Sequence, residues 1–218
     1  RTPLTNVRSY AETLRESGGD IPRETEDRFL GIIINETDRM THIVQDLLTL
    51  SRLDSGNAGM NFTRFYFGEA IESVYQANAL EARRHRHELL YIPAPLPLVM
   101  GDRSRLEQVM LNVISNAIKY TPDGGHIRIT AGSTDTDVWM EVSDDGIGIP
   151  EKDRPRVFDR FYRVDKARSR ESGGTGLGLS IAKEIMEQHH GSIALVPHEG
   201  PGSTVRISLP IVQPGPAV

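Results

Sequence analysis

Apolar residues recur at helical intervals through the first fifty positions. Leu4, Val7, Ala11 and Leu14 are spaced by 3, 4 and 3, and the run stops at Gly18 and Gly19, which predicts a first helix closed by glycine. Pro3 suits a first turn and would kink a longer helix. After "GGDIP", Pro22 stands near the start of a second helix. There Phe29, Ile33, Glu36, Met40, Ile43, Leu47 and Leu50 step alternately by 4 and 3, a heptad-type seam with Glu36 as its polar member. Two antiparallel helices with such seams cannot bury them alone. A hairpin from each of two chains, forming a four-helix bundle, can, so residues 1–55 predict a homodimer. The stretch "SRLDSGNAG" at Ser51–Gly59 reads as a linker between two bodies.

Beyond it the period changes. "FTRFYF" reads as a strand, about 68–86 as a helix, and 89–92 and 98–100 as short strands. The next helix, Glu107–Thr121, can be capped by Asp102 or Ser104. "HIRITAGS" and "VWMEVSDDG" alternate as a hairpin, a helix runs from about Leu177 to Gln188, and "GSIALVPHEGPGSTVRISLP" holds two strands around a glycine-rich turn. The fold class is α+β: an N-terminal helical hairpin (1–57), a linker (58–65), an α/β sandwich with one sheet face covered (66–213) and a tail (214–218).

At 218 residues the chain has room for two small cores. A net charge of -5 argues against nucleic-acid binding. "EARRHRHE" at Glu81–Glu88 reads as the solvated end of a helix. With no cysteine there is no disulfide, thiolate metal site or cysteine nucleophile. No run is long enough for a membrane span and no signal peptide opens the chain, so the chain is expected to be soluble.

Chemistry concentrates between Asp144 and Ser180. Two glycine clusters, "DDGIGIP" and "GGTGLGL", bracket a charged segment with three aromatics. Glycines at such spacing let backbone N–H groups approach phosphate oxygens, although taken alone they also mark ordinary turns. A third element decides between these readings. In "EQVMLNVISNAIKYT" the residues Asn112, Asn116, Lys119 and Tyr120 share one helix face, beside an apolar stripe of Leu106, Met110, Val113 and Ala117. Carboxamides suit a hard cation and lysine suits phosphate, so the three stretches predict a Mg–triphosphate pocket with a lid.

These stretches resemble the N, G1, F and G2 boxes of sensor histidine kinases, whose catalytic domain shares a superfamily with gyrase and mismatch-repair ATPases. "RTPLT" at Arg1–Thr5 resembles the tail of the same family's phosphoacceptor motif. The lid "FYRVDKARSR" resembles the phosphate- and cell-wall-sensing branch. The resemblance implies ATP and Mg2+ as cofactors. Asp144 matches the carboxylate that binds the exocyclic amine of adenine, Asn116 the magnesium ligand, and Asn112, Lys119 and Tyr120 the phosphate and nucleotide contacts. Gly146, Gly148 and Ile149 belong to the G1 box. In the lid, Arg163 matches an arginine that reaches the γ-phosphate, with Tyr162 beside it. Gly174, Thr175, Gly176, Leu177, Gly178 and Leu179 form the G2 loop, and Ser203 and Thr204 place hydroxyls near adenine. Asp145 stands where asparagine is often found, and its charge would weaken triphosphate binding if it faced the pocket. Phe158, Phe161 and Tyr162 are expected to seat the lid, and Arg160 to be solvated.

The acceptor histidine of the family lies three positions upstream of the residue matching Arg1, outside this sequence, and none of the seven histidines here has its context. Thr2 matches the threonine that orients water when such proteins dephosphorylate their regulator, and it could equally cap a helix. The implied function is the kinase core of a membrane-anchored bacterial sensor. It would pass the γ-phosphoryl of ATP to a histidine and then to an aspartate of a response-regulator receiver domain, with membrane contact only through regions outside this chain. An ATPase of the gyrase kind would carry a glutamate as general base where Asn112 stands. A non-catalytic dimeric scaffold is the third reading.

Overall fold

The computed structural model describes residues 2–54, 59–164 and 175–211. Two helices come first, α1 (Thr2–Glu16) and α2 (Arg23–Asp54). Gly18 and Gly19, at φ of 57° and 95°, make the turn between them, a backbone that residues with a Cβ adopt only under strain. The rings of Tyr10 and Phe29, 5.0 Å apart, set the register of the hairpin. The carbonyl of Pro22 accepts from the amides of Thr25 and Glu26, which starts α2 where the proline predicts. Along the seam Phe29, Ile33, Glu36, Met40 and Ile43 are half-buried. A second apolar stripe, Leu30, Ile34, Val44 and Leu48, stays 43–57% exposed.

The first four residues of the stretch read as a linker, Ser51–Asp54, are helical. α2 runs through Ser51 to Asp54, and Leu50 and Leu53 are buried at 3% and 2% exposure. No glycine or proline falls between Gly31 and Gly56. Each buried leucine contributes about 1.5–3 kcal/mol, enough to hold the last turns against the second body.

That body contains β1 (Thr63–Tyr66), α3 (Phe67–Arg84), β2 (Glu88–Ile92), β3 (Leu98–Gly101) and α4 (Arg103–Tyr120). It continues with β4 (His126–Ser133), β5 (Asp137–Asp144), a 3-10 turn at Arg154–Arg156, α5 (Gly178–Gln188), β6 (Ser192–Leu195) and β7 (Ser203–Pro210). β1 and β3 form a small antiparallel pair. The main sheet has the order β2-β4-β5-β7-β6, antiparallel except for β2 with β4. Alternation sends Val138, Met140, Val142 and Asp144 of β5 inward, where they join Leu106, Met110, Val113 and Ile114 of α4 and Ile181 and Ile185 of α5. α4 lies between α3 and α5. The result is an α/β sandwich behind a helical hairpin, as the periodicities predict.

Two polar ties fix the start of α4. Asp102 is its N-cap: Oδ1 accepts from the amide of Arg105 at 3.2 Å and from Ser104 Oγ at 2.8 Å, while Oδ2 accepts from the amide of Asn61 at 3.0 Å. The Asp102 amide donates to Nε2 of His189 at 2.9 Å, and Nδ1 of that buried ring lies 2.8 Å from the Ile185 carbonyl. His189 is thereby held neutral, and burial pushes its pKa down.

Candidate nucleotide-binding site

α4 is the hub of the site. At its C-terminal end the carbonyl of Tyr120 accepts from the amide of Ile147 at 3.1 Å, which anchors the first glycine turn. Two turns nearer its start, Nδ2 of Asn112 donates to the carbonyl of Gly178 at 3.0 Å, which anchors the second. The lid meets the second glycine cluster through the amide of Phe161, which donates to the carbonyl of Gly176 at 2.9 Å. Segments more than sixty residues apart thus converge on one helix face.

Sheet register builds the Asp144 end. Asp144 and Ser203 are direct partners across β5 and β7, so Ser203 Oγ donates to Asp144 Oδ2 at 2.8 Å, and the amide of Gly146 donates to Oδ1 at 3.0 Å. The carboxylate is 7% exposed. Burial pushes its pKa up, and the bonds from Ser203 and Gly146 pull it back. The neighbouring pair brings Thr204 Oγ1 within 3.1 Å of Ser143 Oγ and 2.8 Å of His198 Nδ1. Gly146, Gly148 and Gly202 let three backbones meet here. A Cβ on Gly146 would overlap the Tyr120 carbonyl, one on Gly148 would stand 2.9 Å from the Gly202 carbonyl oxygen, and one on Gly202 would overlap the Asp144 carbonyl. Ile149 is half-buried beside them.

Asp145 is not directed at phosphate in the way the sequence leaves open. Its carboxylate accepts from the amide of His126 at 2.7 Å and pairs with that ring's Nδ1 at 2.7 Å. The hydrogen bond to Asp145 raises the pKa of His126.

The opposite end is cationic. Lys119 is half-buried, and burial first, then the charges of Arg163 and Arg39, lower its pKa to about 8. Gly176, at φ of 73°, packs 3.2 Å from Arg163 Cγ as measured from the Cβ it lacks. Thr175 Oγ1 accepts from the Leu177 amide at 3.2 Å, just ahead of α5, whose positive end points toward this loop. Leu177 is buried and Leu179 half-buried, so these two leucines seat the loop from beneath. Gly174 lies outside the described residues, and Thr2 is the first residue of α1. Asn116 is half-buried on the same face of α4 as Asn112. Among the described residues no cluster of three or more His, Asp or Glu side chains could hold a metal. A carboxamide at Asn116 fits a Mg2+ that takes most of its ligands from phosphates and water.

Tyr162 and Arg160 are both held by carboxylates, Arg160 against expectation. The Tyr162 hydroxyl donates to Asp153 Oδ1 at 2.6 Å, with Arg156 4.3 Å over its ring, so it ties the lid to its own base. Arg160 is not simply solvated: it makes a double hydrogen bond to Asp54 of α2 at 2.6 and 2.8 Å and approaches Glu184 at 3.6 Å. Phe161 is 59% exposed beside Leu47 and Leu50 of α2. Thr175 donates to Asp46 of α2 at 2.9 Å, and Gln188 to the Leu53 carbonyl at 3.0 Å. Asp46 and Asp54 had no local signal, because each reads as the polar flank of a seam.

The class follows from this geometry and from family comparison. Residues 101–213 match the model of the histidine kinase-, DNA gyrase B- and HSP90-like ATPases, and the chain belongs to that family. Residues 1–56 match the His Kinase A phospho-acceptor domain, so the chain carries the two domains of a sensor histidine kinase core. It is 41% identical over 212 residues to the sensor histidine kinase WalK of Bacillus subtilis, covering 96% of this chain and 34% of that protein. The chain thus spans about a third of the length of this relative. Acinetobacter baumannii histidine kinase AdeS superposes with a TM-score of 0.77 at 25% identity, over 98% of this chain and 97% of that one. Histidine kinase ThkA, solved in complex with response regulator protein TrrA, superposes with a TM-score of 0.73 at 26% identity, over 96% and 58%. No helix among the described residues is long and apolar enough to cross a membrane.

Proposed function

We propose that this chain binds ATP with Mg2+ and donates the γ-phosphoryl group to a histidine on the upstream extension of the helical hairpin, from which an aspartate of a response-regulator receiver domain takes it. The observation that carries the reading is the polarity of the pocket. A buried carboxylate, Asp144, stands at one end, and a half-buried lysine, a lid arginine and a glycine loop ahead of a helix stand at the other. Asp144 would accept from the exocyclic amine of adenine, which guanine replaces with a carbonyl. Lys119, Arg163 and the amides of Gly176–Gly178 would hold phosphates, and the Asn116 amide oxygen would complete the Mg2+ shell. A bound Mg2+ would neutralise charge building on the transferred phosphoryl group.

Asn112 separates this reading from a hydrolase. Its amide already donates to Gly178, and a carboxamide cannot take a proton from water. The exposed second stripe of α2 supports dimerisation through residues 1–55, the complex of ThkA with TrrA supports a receiver-domain partner, and Thr2 remains the candidate for orienting water in regulator dephosphorylation.

The test incubates residues 1–218 with Mg2+ and γ-labelled ATP and reads bound nucleotide, free phosphate and acid-labile protein phosphate together. Bound ATP, little free phosphate, and label on the protein only after the chain is extended upstream of Arg1 are expected. Rapid phosphate release would favour the ATPase. Label on the 218-residue chain would place the acceptor among its seven histidines.

A further inference from the structure

The helical hairpin supplies more to the pocket than a docking surface. Asp46 reaches the second glycine cluster by its bond to Thr175 at 2.9 Å. Two turns earlier on the same face of α2, about 10 Å along the axis, stands Arg39. Its Nη1 donates to Glu36 at 3.0 Å, and the two side chains are each 18% exposed. Its Nε is buried with no hydrogen-bond partner among the described residues. The charge of Arg39 bears on Lys119 together with that of Arg163. The charges of Arg39 on α2 and Lys119 on α4 thus act on one region where burial strengthens repulsion, and among the described residues Glu36 bonds a single nitrogen of the Arg39 guanidinium and leaves its buried Nε without an acceptor. Such a cluster is stable when an anion of high charge completes it.

We propose that Arg39 is a third cation of the phosphate end and contacts the terminal phosphate of a bound triphosphate, so that α2 itself forms one wall of the nucleotide site. The proposal rests on the nucleotide reading above. It adds a residue from outside the ATP-binding domain, and it makes triphosphate binding and hairpin docking favour one another in the same chain. A diphosphate, lacking the terminal group, would not feel Arg39.

The experiment is calorimetric titration of the full chain with Mg-ATP and, separately, Mg-ADP, for the wild type, Arg39→Ala and Arg39→Lys, with thermal unfolding as a check on folding. Arg39→Ala should weaken ATP about tenfold and leave ADP within about twofold, so the preference for triphosphate falls. Arg39→Lys should recover part of that preference, since an ammonium keeps the charge without the fork geometry. ATP affinity unchanged in Arg39→Ala overturns the proposal. Equal loss for ATP and ADP also overturns it, because that is what loosened docking alone would produce. Should Arg39→Ala fail to fold, the Arg39→Lys ratio of ATP to ADP affinity decides by itself. A wild type that binds neither nucleotide would instead overturn the nucleotide reading.

Discussion

Asp144→Ala should cost on the order of a hundredfold in ATP affinity while leaving the dimer intact. The carboxylate is the acceptor proposed for the exocyclic amine of adenine, and a hydrogen bond to a charged group in a buried site is worth about 1.5–3 kcal/mol, near the upper end where its partner is left unpaired. Truncation also strands Ser203 Oγ and the Gly146 amide, which now bond that carboxylate at 2.8 and 3.0 Å. The Asp144 carboxylate bonds Ser203 and Gly146, both outside the hairpin, so sedimentation of the variant should match the wild type. Asp144→Asn is the sharper probe. Its amide keeps the shape but turns a donor toward an amine on part of its surface, so ATP should still weaken by at least tenfold. Unchanged ATP affinity in both variants would remove the adenine assignment.

Gly202→Ala should be the most destabilising single-methyl change at the site. Its φ of 109° already disfavours a side chain, and its Cβ would overlap the Asp144 carbonyl, a backbone atom that has no rotamer by which to retreat. A loss of about 3 kcal/mol is expected, seen as a fall of roughly 10 °C in thermal unfolding midpoint. Gly200→Ala is the matched comparison. That residue has a φ of 85° but nothing within 4 Å of the added Cβ, so only the backbone term remains, about 1 kcal/mol. Equal effects of the two changes would show that the close approach of the β7 turn to Asp144 is not what requires glycine.

These two positions were unequally visible before the fold was known. Asp144 and the face of α4 could be read because their signals are local: glycines one residue apart, and polar side chains repeating at a helical interval beside an apolar stripe. The cap at Asp102 was visible for the same reason. Gly202 was read only as part of a turn, since its contact with the Asp144 carbonyl depends on β5–β7 register, across some sixty residues. The α2 contacts were not readable at all. Asp46, Asp54 and Leu53 meet partners 106–135 residues away, and in the sequence they look like the solvated flank and fraying end of a helix. Asp145 shows the same limit in miniature, because its fate is set by His126, nineteen residues upstream. Local chemistry thus marked the residues that the fold brings together, and tertiary packing alone revealed that α2 bonds Arg160, Thr175 and Gln188.

The central claim is that the pocket holds adenosine triphosphate by its two chemically opposite ends. Equilibrium titration of the wild-type chain with Mg-ATP, and with Mg-GTP under the same conditions, tests it most directly. Saturable one-to-one ATP binding with GTP weaker by at least tenfold is the predicted result, because guanine offers Asp144 a carbonyl where adenine offers an amine. Equal affinity for the two nucleotides, or no binding of either, would contradict the account.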